Sequence, residues 1–244
     1  KHNIVQAKTD IYHRWIQSHV DAFICVSKQV YDAQVIPSIS HKYHLVYNGI
    51  NTHRFPTIES KHKEPKQFIV GYAGRITENK GIYELLEAIK VIHNGDIRLR
   101  ICGDGIHESI QELHHYIMQH DMKEYVEYIG FQQDMNRFYR SVDCLVAPSK
   151  VREAFGLVLC EAMYCRVPVI ASTSGAQGEI IENGVSGILI DAVNSEVIAK
   201  SIQKLMQDDV IRVSMVNQGY KRVESTFTIT KMVDSIVTII RNLR

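Results

Sequence analysis

An α/β fold, with a parallel sheet covered by helices on both faces, is predicted by three features of this chain. Short apolar runs alternate with helical patterns over most of its 244 residues. Alternation at that spacing needs crossover connections, and crossovers give parallel strands. Several runs, 68–73 and 144–147 among them, are continuously apolar, as strands buried on both faces should be. The composition, 45% hydrophobic and 23% charged, is that of an ordinary globular chain.

Taken in order, residues 3–19 read as a helix, 22–26 as a strand, 28–36 as a helix and 43–47 as a strand, closed by the turn signal Asn48-Gly49. So short a segment is too small for an independent core, and it reads as the end of a domain whose beginning is missing. The first residue, Lys1 rather than Met, fits a processed or truncated start. Residues 57–66 are polar and aperiodic, with Pro56 and Pro65 around them, and read as a linker. Strands follow at 68–73, 97–102, 125–129, 144–147, 167–171 and 187–190. Between them lie helical patterns at 82–93, 106–120, 135–141 and 156–164, with a short one near 177–182. The tail adds 195–207, 210–225 and 229–243. In the last of these, Ile229, Met232, Val233, Ile236, Val237 and Ile240 draw one apolar stripe that must find cover.

A formal net charge of +1 gives no global field for nucleic acid or an acidic membrane. The 12 histidines are scattered, and no spacing resembles a zinc site. Of the five cysteines, Cys25, Cys102, Cys144 and Cys160 lie in apolar runs without CxxC spacing, so they read as buried thiols of a reducing cytosol. No run has the length of a membrane span, and no signal peptide is evident.

The chemistry concentrates at strand ends. Glu153 and Glu161 bracket an apolar run that continues to Met163. A carboxylate among apolar residues wants hydrogen-bond donors, and a ribose diol supplies two. Carboxylates at the carboxyl ends of parallel strands sit where ligands bind. The structural alternatives are a helix-dipole partner for Glu153 and an ion pair between Glu161 and Arg75 or Arg166. Gly74 and Arg75 follow the first buried strand, and Lys80-Gly81 opens the next helix. Glycine allows close backbone approach to a phosphate, and a helix N-terminus with two cations favours anionic oxygens. Neither a Walker loop nor GxGxxG is present, and a plain Gly-lined turn remains the alternative. Amides at Phe155, Gly156 and Leu157 would point out of a second helix N-terminus. Asp104 in Gly103-Asp104-Gly105 reads as a helix cap. The backbone at Gly130-Phe131 reaches the same sheet edge, where a nucleobase could be held.

Taken together, Gly74-Arg75 with Lys80-Gly81, Gly103-Asp104-Gly105, Pro148-Ser149, Glu153 to Glu161, and Gly175 with Glu179 resemble retaining glycosyltransferases of the GT-B fold, family GT4. So do Val167 to Ala171, Asn183 to Gly187, and Asn48-Gly49-Ile50-Asn51 with Phe55. Gly175-Ala176 departs from the two glycines frequent there. The resemblance implies a Rossmann-like donor domain over 67–225, a remnant of an acceptor domain over 1–56 and a tail helix, 226–244, packing back on residues 3–47. It implies that Arg75 and Lys80, beside Gly74, meet the diphosphate, that Glu161 binds ribose, and that backbone near Phe131 holds the base. Glu153, with the amides of Phe155, Gly156 and Leu157, would hold the sugar, so Glu153, Arg75 and Lys80 form the catalytic set. The resemblance also implies that no cofactor or metal is required and that the donor is a nucleotide-sugar, a UDP-sugar first and a GDP-sugar second. It implies a carbohydrate or lipid-linked acceptor, as in bacterial cell-envelope polysaccharide or lipopolysaccharide synthesis. The implied place is the cytoplasm or the inner face of the membrane, with peripheral association through the missing part of the amino-terminal domain. The other readings are a GT-B epimerase or phosphorylase and a non-catalytic nucleotide-binding regulatory module.

Overall fold

A computed structural model describes residues 11–56 and 67–243. The linker expected over 57–66 and the first turns of the opening helix, 3–10, lie outside the described residues. The chain runs α1 (Ile11–His19), β1 (Phe23–Cys25), α2 (Lys28–Gln34) and β2 (Tyr43–Leu45), with β1 and β2 pairing in parallel. Then come β3 (Phe68–Ala73), α3 (Ile82–Ile92), β4 (Ile97–Cys102), α4 (His107–Gln119), β5 (Val126–Tyr128) and α5 (Met135–Arg140). The second half holds β6 (Cys144–Ala147), α6 (Leu157–Tyr164), β7 (Val169–Ser172), α7 (Gln177–Ile180) and β8 (Ile188–Ile190), then α8 (Ser195–Gln207), α9 (Asp209–Thr226) and α10 (Ile229–Asn242).

The six strands β3 to β8 form one parallel sheet in the order β5-β4-β3-β6-β7-β8. This is the doubly wound order, and its direction of winding reverses between β3 and β6. The apolar runs explain the layers. Val70, Leu99, Ile101, Cys144, Leu145, Val146, Val169 and Ile170 are fully buried, because helices cover both faces. One core lies under α3, α4 and α8, and the other under α5, α6 and α9. Nearer the edge the pattern alternates: on β4, Arg98 is exposed between buried Ile97 and Leu99, and Arg100 Nε donates to Glu127 Oε2 of β5 at 2.7 Å. Side-chain caps start α5, α8 and α9, where Asp134, Asn194 and Asp208 accept from Arg137, Val197 and Ile211 amides.

Three expectations need correction. The strand at 167–171 begins later, at Val169, because the Val167 amide donates to Ala162 O at 2.9 Å and closes the turn after α6. That turn holds Arg166 at φ 59°. Asp104 does not cap α4; its carboxylate accepts from the neighbouring Gly105 amide at 2.8 Å, while Ile106 stands at the cap position. The stripe of α10 is only partly covered: Met232, Ile236 and Ile239 are half-buried, whereas Ile229, Val233, Val237 and Ile240 are exposed. The chain before α10 is tied to the first segment where the Ile50 amide donates to Phe227 O and the Ile229 amide to Ile50 O, both at 2.8 Å.

Candidate functional site

The two loops at the reversal of the sheet, after β3 and after β6, carry most of the residues singled out by sequence. The buried Tyr72 hydroxyl donates to Arg75 O at 2.8 Å and pins the turn at Gly74-Arg75. Burial pushes the Tyr72 phenol well up, so this hydroxyl stays a donor. Gly81 opens α3 at φ 71°, and a Cβ there would fall 1.9 Å from Pro148 O. Only glycine suits both conditions, and it brings Lys80 against the loop after β6.

That loop presents Glu153. Ser172 Oγ donates to Ser149 O at 2.6 Å, Ser174 Oγ to Val151 O at 3.0 Å, and the Ala176 amide to Glu153 O at 3.0 Å. The segment after β7 is thus stapled beneath it. Contact is close enough that a Cβ on Gly175 would lie 2.3 Å from Glu153 N. Lys80 Nζ and Glu153 Oε1 form an ion pair, with side chains only 21% and 20% exposed. Next along the chain, Gly156 stands at the cap position of α6 and no side chain caps the first amides of that helix.

These groups surround one cavity of about 520 Å³, lined by Gly74, Arg75, Lys80, Glu153, Phe155, Gly156 and Leu157 together with Tyr72, Asn48, Val26 and Gln177. Two cations, a carboxylate and a helix N-terminus in one recess can take an anionic group with a polyhydroxylated neighbour. Among the described residues, no group of three or more His, Cys, Asp and Glu is placed to hold a metal ion.

Glu161 and Phe131 do not line that cavity. Glu161 accepts from the fully buried Tyr139 hydroxyl at 2.8 Å. Burial raises its pKa above the ordinary carboxylate value, and the Tyr139 hydrogen bond and the charge of Arg54 offset this only in part. The ion pair with Arg75 or Arg166 is not made: Arg75 lines the cavity, and Arg166 stacks over Tyr220 and donates to Asn217 at 3.1 Å. Phe131, past the end of β5, is 72% exposed.

Sequence patterns gave no place in the site to Tyr72, Asn48, Gln177, Tyr139 or Glu179. The Glu179 carboxylate accepts from the Lys28 and Gln29 amides at 2.6 and 2.9 Å, so α7 caps the start of α2 across the molecule. Arg222 fixes α7 in turn, donating to Ile180 O and Glu179 O at 2.6 and 2.8 Å. Polar residues next to glycine after a strand were the available signal, but their partners lie far away in sequence.

Residues 54–222 match the family described as glycosyl transferases group 1. Over 190 residues the chain is 30% identical to the capsular polysaccharide biosynthesis glycosyltransferase CapM of Staphylococcus aureus, covering 74% of this chain and 49% of that protein. The chain spans about half the length of the curated relatives it matches. Among solved structures, HepE of Anabaena in complex with UDP superposes with a TM-score of 0.88 at 21% identity, covering 99% of this chain and 71% of that one. The C-terminal domain of the group 1 glycosyl transferase LpcC from Francisella tularensis gives 0.66 at 30% identity, over 74% of this chain and all of that one.

Proposed function

The chain belongs to the glycosyl transferases of group 1, and we propose that it holds a nucleotide-sugar donor for transfer of the sugar to a carbohydrate or lipid-linked acceptor. One observation carries this: the recess at the reversal of the sheet gathers Gly74, Arg75, Lys80, Glu153 and the open end of α6 around a single cavity. The Rossmann-like sheet with helices on both faces is the C-terminal half of a GT-B fold. Segment 67–225 is the donor-binding domain, 1–56 is a remnant of the acceptor domain, and 226–244 is a tail helix that packs back on that remnant.

Arg75 and Lys80 meet the diphosphate, beside the close-approaching backbone of Gly74. As the bond from the anomeric carbon to the phosphate oxygen breaks, its electron pair stays on the diphosphate, where both cations and the dipole of α6 stabilise the growing charge. Positive charge grows on the anomeric carbon, as in glycoside hydrolysis, and Glu153 with the amides of Phe155, Gly156 and Leu157 orients the ring there. Lys80 does two jobs, because its ion pair fixes Glu153 while its charge faces the phosphates. Glu161 binds the ribose hydroxyls and backbone near Phe131 the base.

The donor is a UDP-sugar, a choice supported by the UDP and UDP-glucose complexes of the Anabaena protein. The transfer retains anomeric configuration, needs no metal, and serves envelope polysaccharide or lipopolysaccharide synthesis at the inner face of the membrane. Among the described residues, no helix is long and apolar enough to cross a membrane.

A thermal-shift panel of UDP-, GDP-, ADP- and CDP-sugars, with and without EDTA, tests the donor site, since a ligand of the folded state raises its stability by mass action. Stabilisation by a UDP-sugar that persists in EDTA is expected; silence to every donor overturns the assignment. Labelled donor with an acceptor extract then separates transfer from a binding module without catalysis.

A further inference from the structure

We propose that Gln177 reads the donor sugar, its carboxamide oxygen accepting a hydrogen bond from one ring hydroxyl and so helping to set which sugar the site takes. This rests on the donor-site assignment above and adds a specificity-determining residue to it.

Gln177 is 2% exposed and lines the same cavity as Lys80 and Glu153. Among the described residues its buried Oε1 has no hydrogen-bond partner, and its Nε2 reaches only Ser174 Oγ, at 3.5 Å, the outer limit of such a bond. Buried polar groups are nearly always satisfied, and an unmade bond is unfavourable. A carboxamide left unpaired at a cavity wall makes sense when its partner arrives with the ligand.

Position favours the sugar over the nucleotide. Oε1 lies 2.9 Å from where a Cβ on Gly175 would stand, and that Cβ would touch the backbone of Glu153. The amide therefore sits directly under the residue assigned to the sugar ring. Its last torsion is broad and roughly two-fold, so the carboxamide can turn to meet a ligand with no backbone movement. Backbone on either side is fixed, by Ala176 N to Glu153 O and by Arg222 to α7, so the reach of the side chain is defined. Among the described residues two other buried side-chain oxygens lack partners, on Gln29 and Glu84, and neither residue lines this cavity. A site built to bond a hydroxyl rejects a sugar lacking it far more strongly than an apolar wall can.

The test is calorimetry of this chain and its Gln177→Met variant with UDP, UDP-glucose and the monodeoxy analogues of UDP-glucose. GDP-mannose and its monodeoxy analogues serve instead if wild type prefers that donor. The variant should bind the sugar donor about tenfold more weakly and the bare nucleoside diphosphate equally well. One deoxy donor should bind wild type about tenfold more weakly and lose nothing further in the variant. Equal losses for diphosphate and donor, no loss at all, or additive losses for every deoxy analogue would each overturn the proposal. If Gln177→Met does not fold, Gln177→Asn, one methylene shorter, must show the same selective loss. Wild type that binds neither UDP, UDP-glucose nor GDP-mannose sinks the donor site itself. Wild type that binds a donor with Gln177 indifferent to its sugar sinks only this inference.

Discussion

Glu153 and Glu161 end the same apolar run but solve the problem of a sheltered carboxylate in opposite ways. Glu153 is met by a cation, Lys80, on a loop fixed by hydroxyls and close glycine contacts. Glu161 is met by a neutral phenol, Tyr139, and burial raises its pKa. A paired carboxylate is held in place whatever else binds. One left with a single neutral donor still has acceptor capacity, and a diol would satisfy it. The side proposed for phosphate and sugar is therefore prearranged by charge, whereas the side proposed for ribose would be completed by its ligand.

The largest effect that could break this contrast is at Lys80. Lys80→Ala removes both the partner of Glu153 and the cation proposed to meet the diphosphate. It should weaken UDP binding by roughly 2–3 kcal/mol while leaving uridine unaffected. Titration calorimetry with both ligands checks it; equal losses for the two would mean that the lysine only holds the fold.

Glu161→Gln comes next. It keeps an acceptor for Tyr139 but lacks the charge, so UDP affinity should fall by about 1–2 kcal/mol. Stability should move the other way. The folded pKa of Glu161 is raised, so the folded state favours its protonated form. That contribution is fully present below the ordinary carboxylate pKa and is lost as pH rises through the folded value. At neutral pH the variant should therefore be more stable than wild type, and the gap should close on acidification through that window. A melting midpoint that falls at neutral pH would show Glu161 to be a structural anchor.

Glu179→Ala removes the acceptors of the Lys28 and Gln29 amides at the start of α2, where cap losses cost about 1 kcal/mol. Amide exchange should quicken in α2 and leave β3 and β6 unchanged; uniform quickening would show that the two segments unfold as one. The smallest effect is expected at Phe131. Its ring is exposed and the proposed contact with the base is through backbone, so Phe131→Ala should change stability and UDP affinity by under about 0.5 kcal/mol. A larger drop in affinity would move base recognition onto the ring.

The sequence by itself determined the parallel sheet, the helices between its strands and the loops that carry the chemistry. Continuous apolar runs and Gly-rich strand ends are local signals, so 195–207 was legible to the residue and the strands 68–73, 97–102 and 144–147 likewise. Strand order, the reversal between β3 and β6, and the meeting of Lys80 with Glu153 were decided by tertiary structure alone. The amide cap that Glu179 lends to α2 and the buried, unpartnered oxygen of Gln177 belong with them. Each joins residues far apart in the chain, or depends on which polar atoms packing has already sealed from water. No local pattern encodes that, because a hydrogen bond across the fold leaves only a polar residue in the sequence, and that residue reads the same with or without its partner.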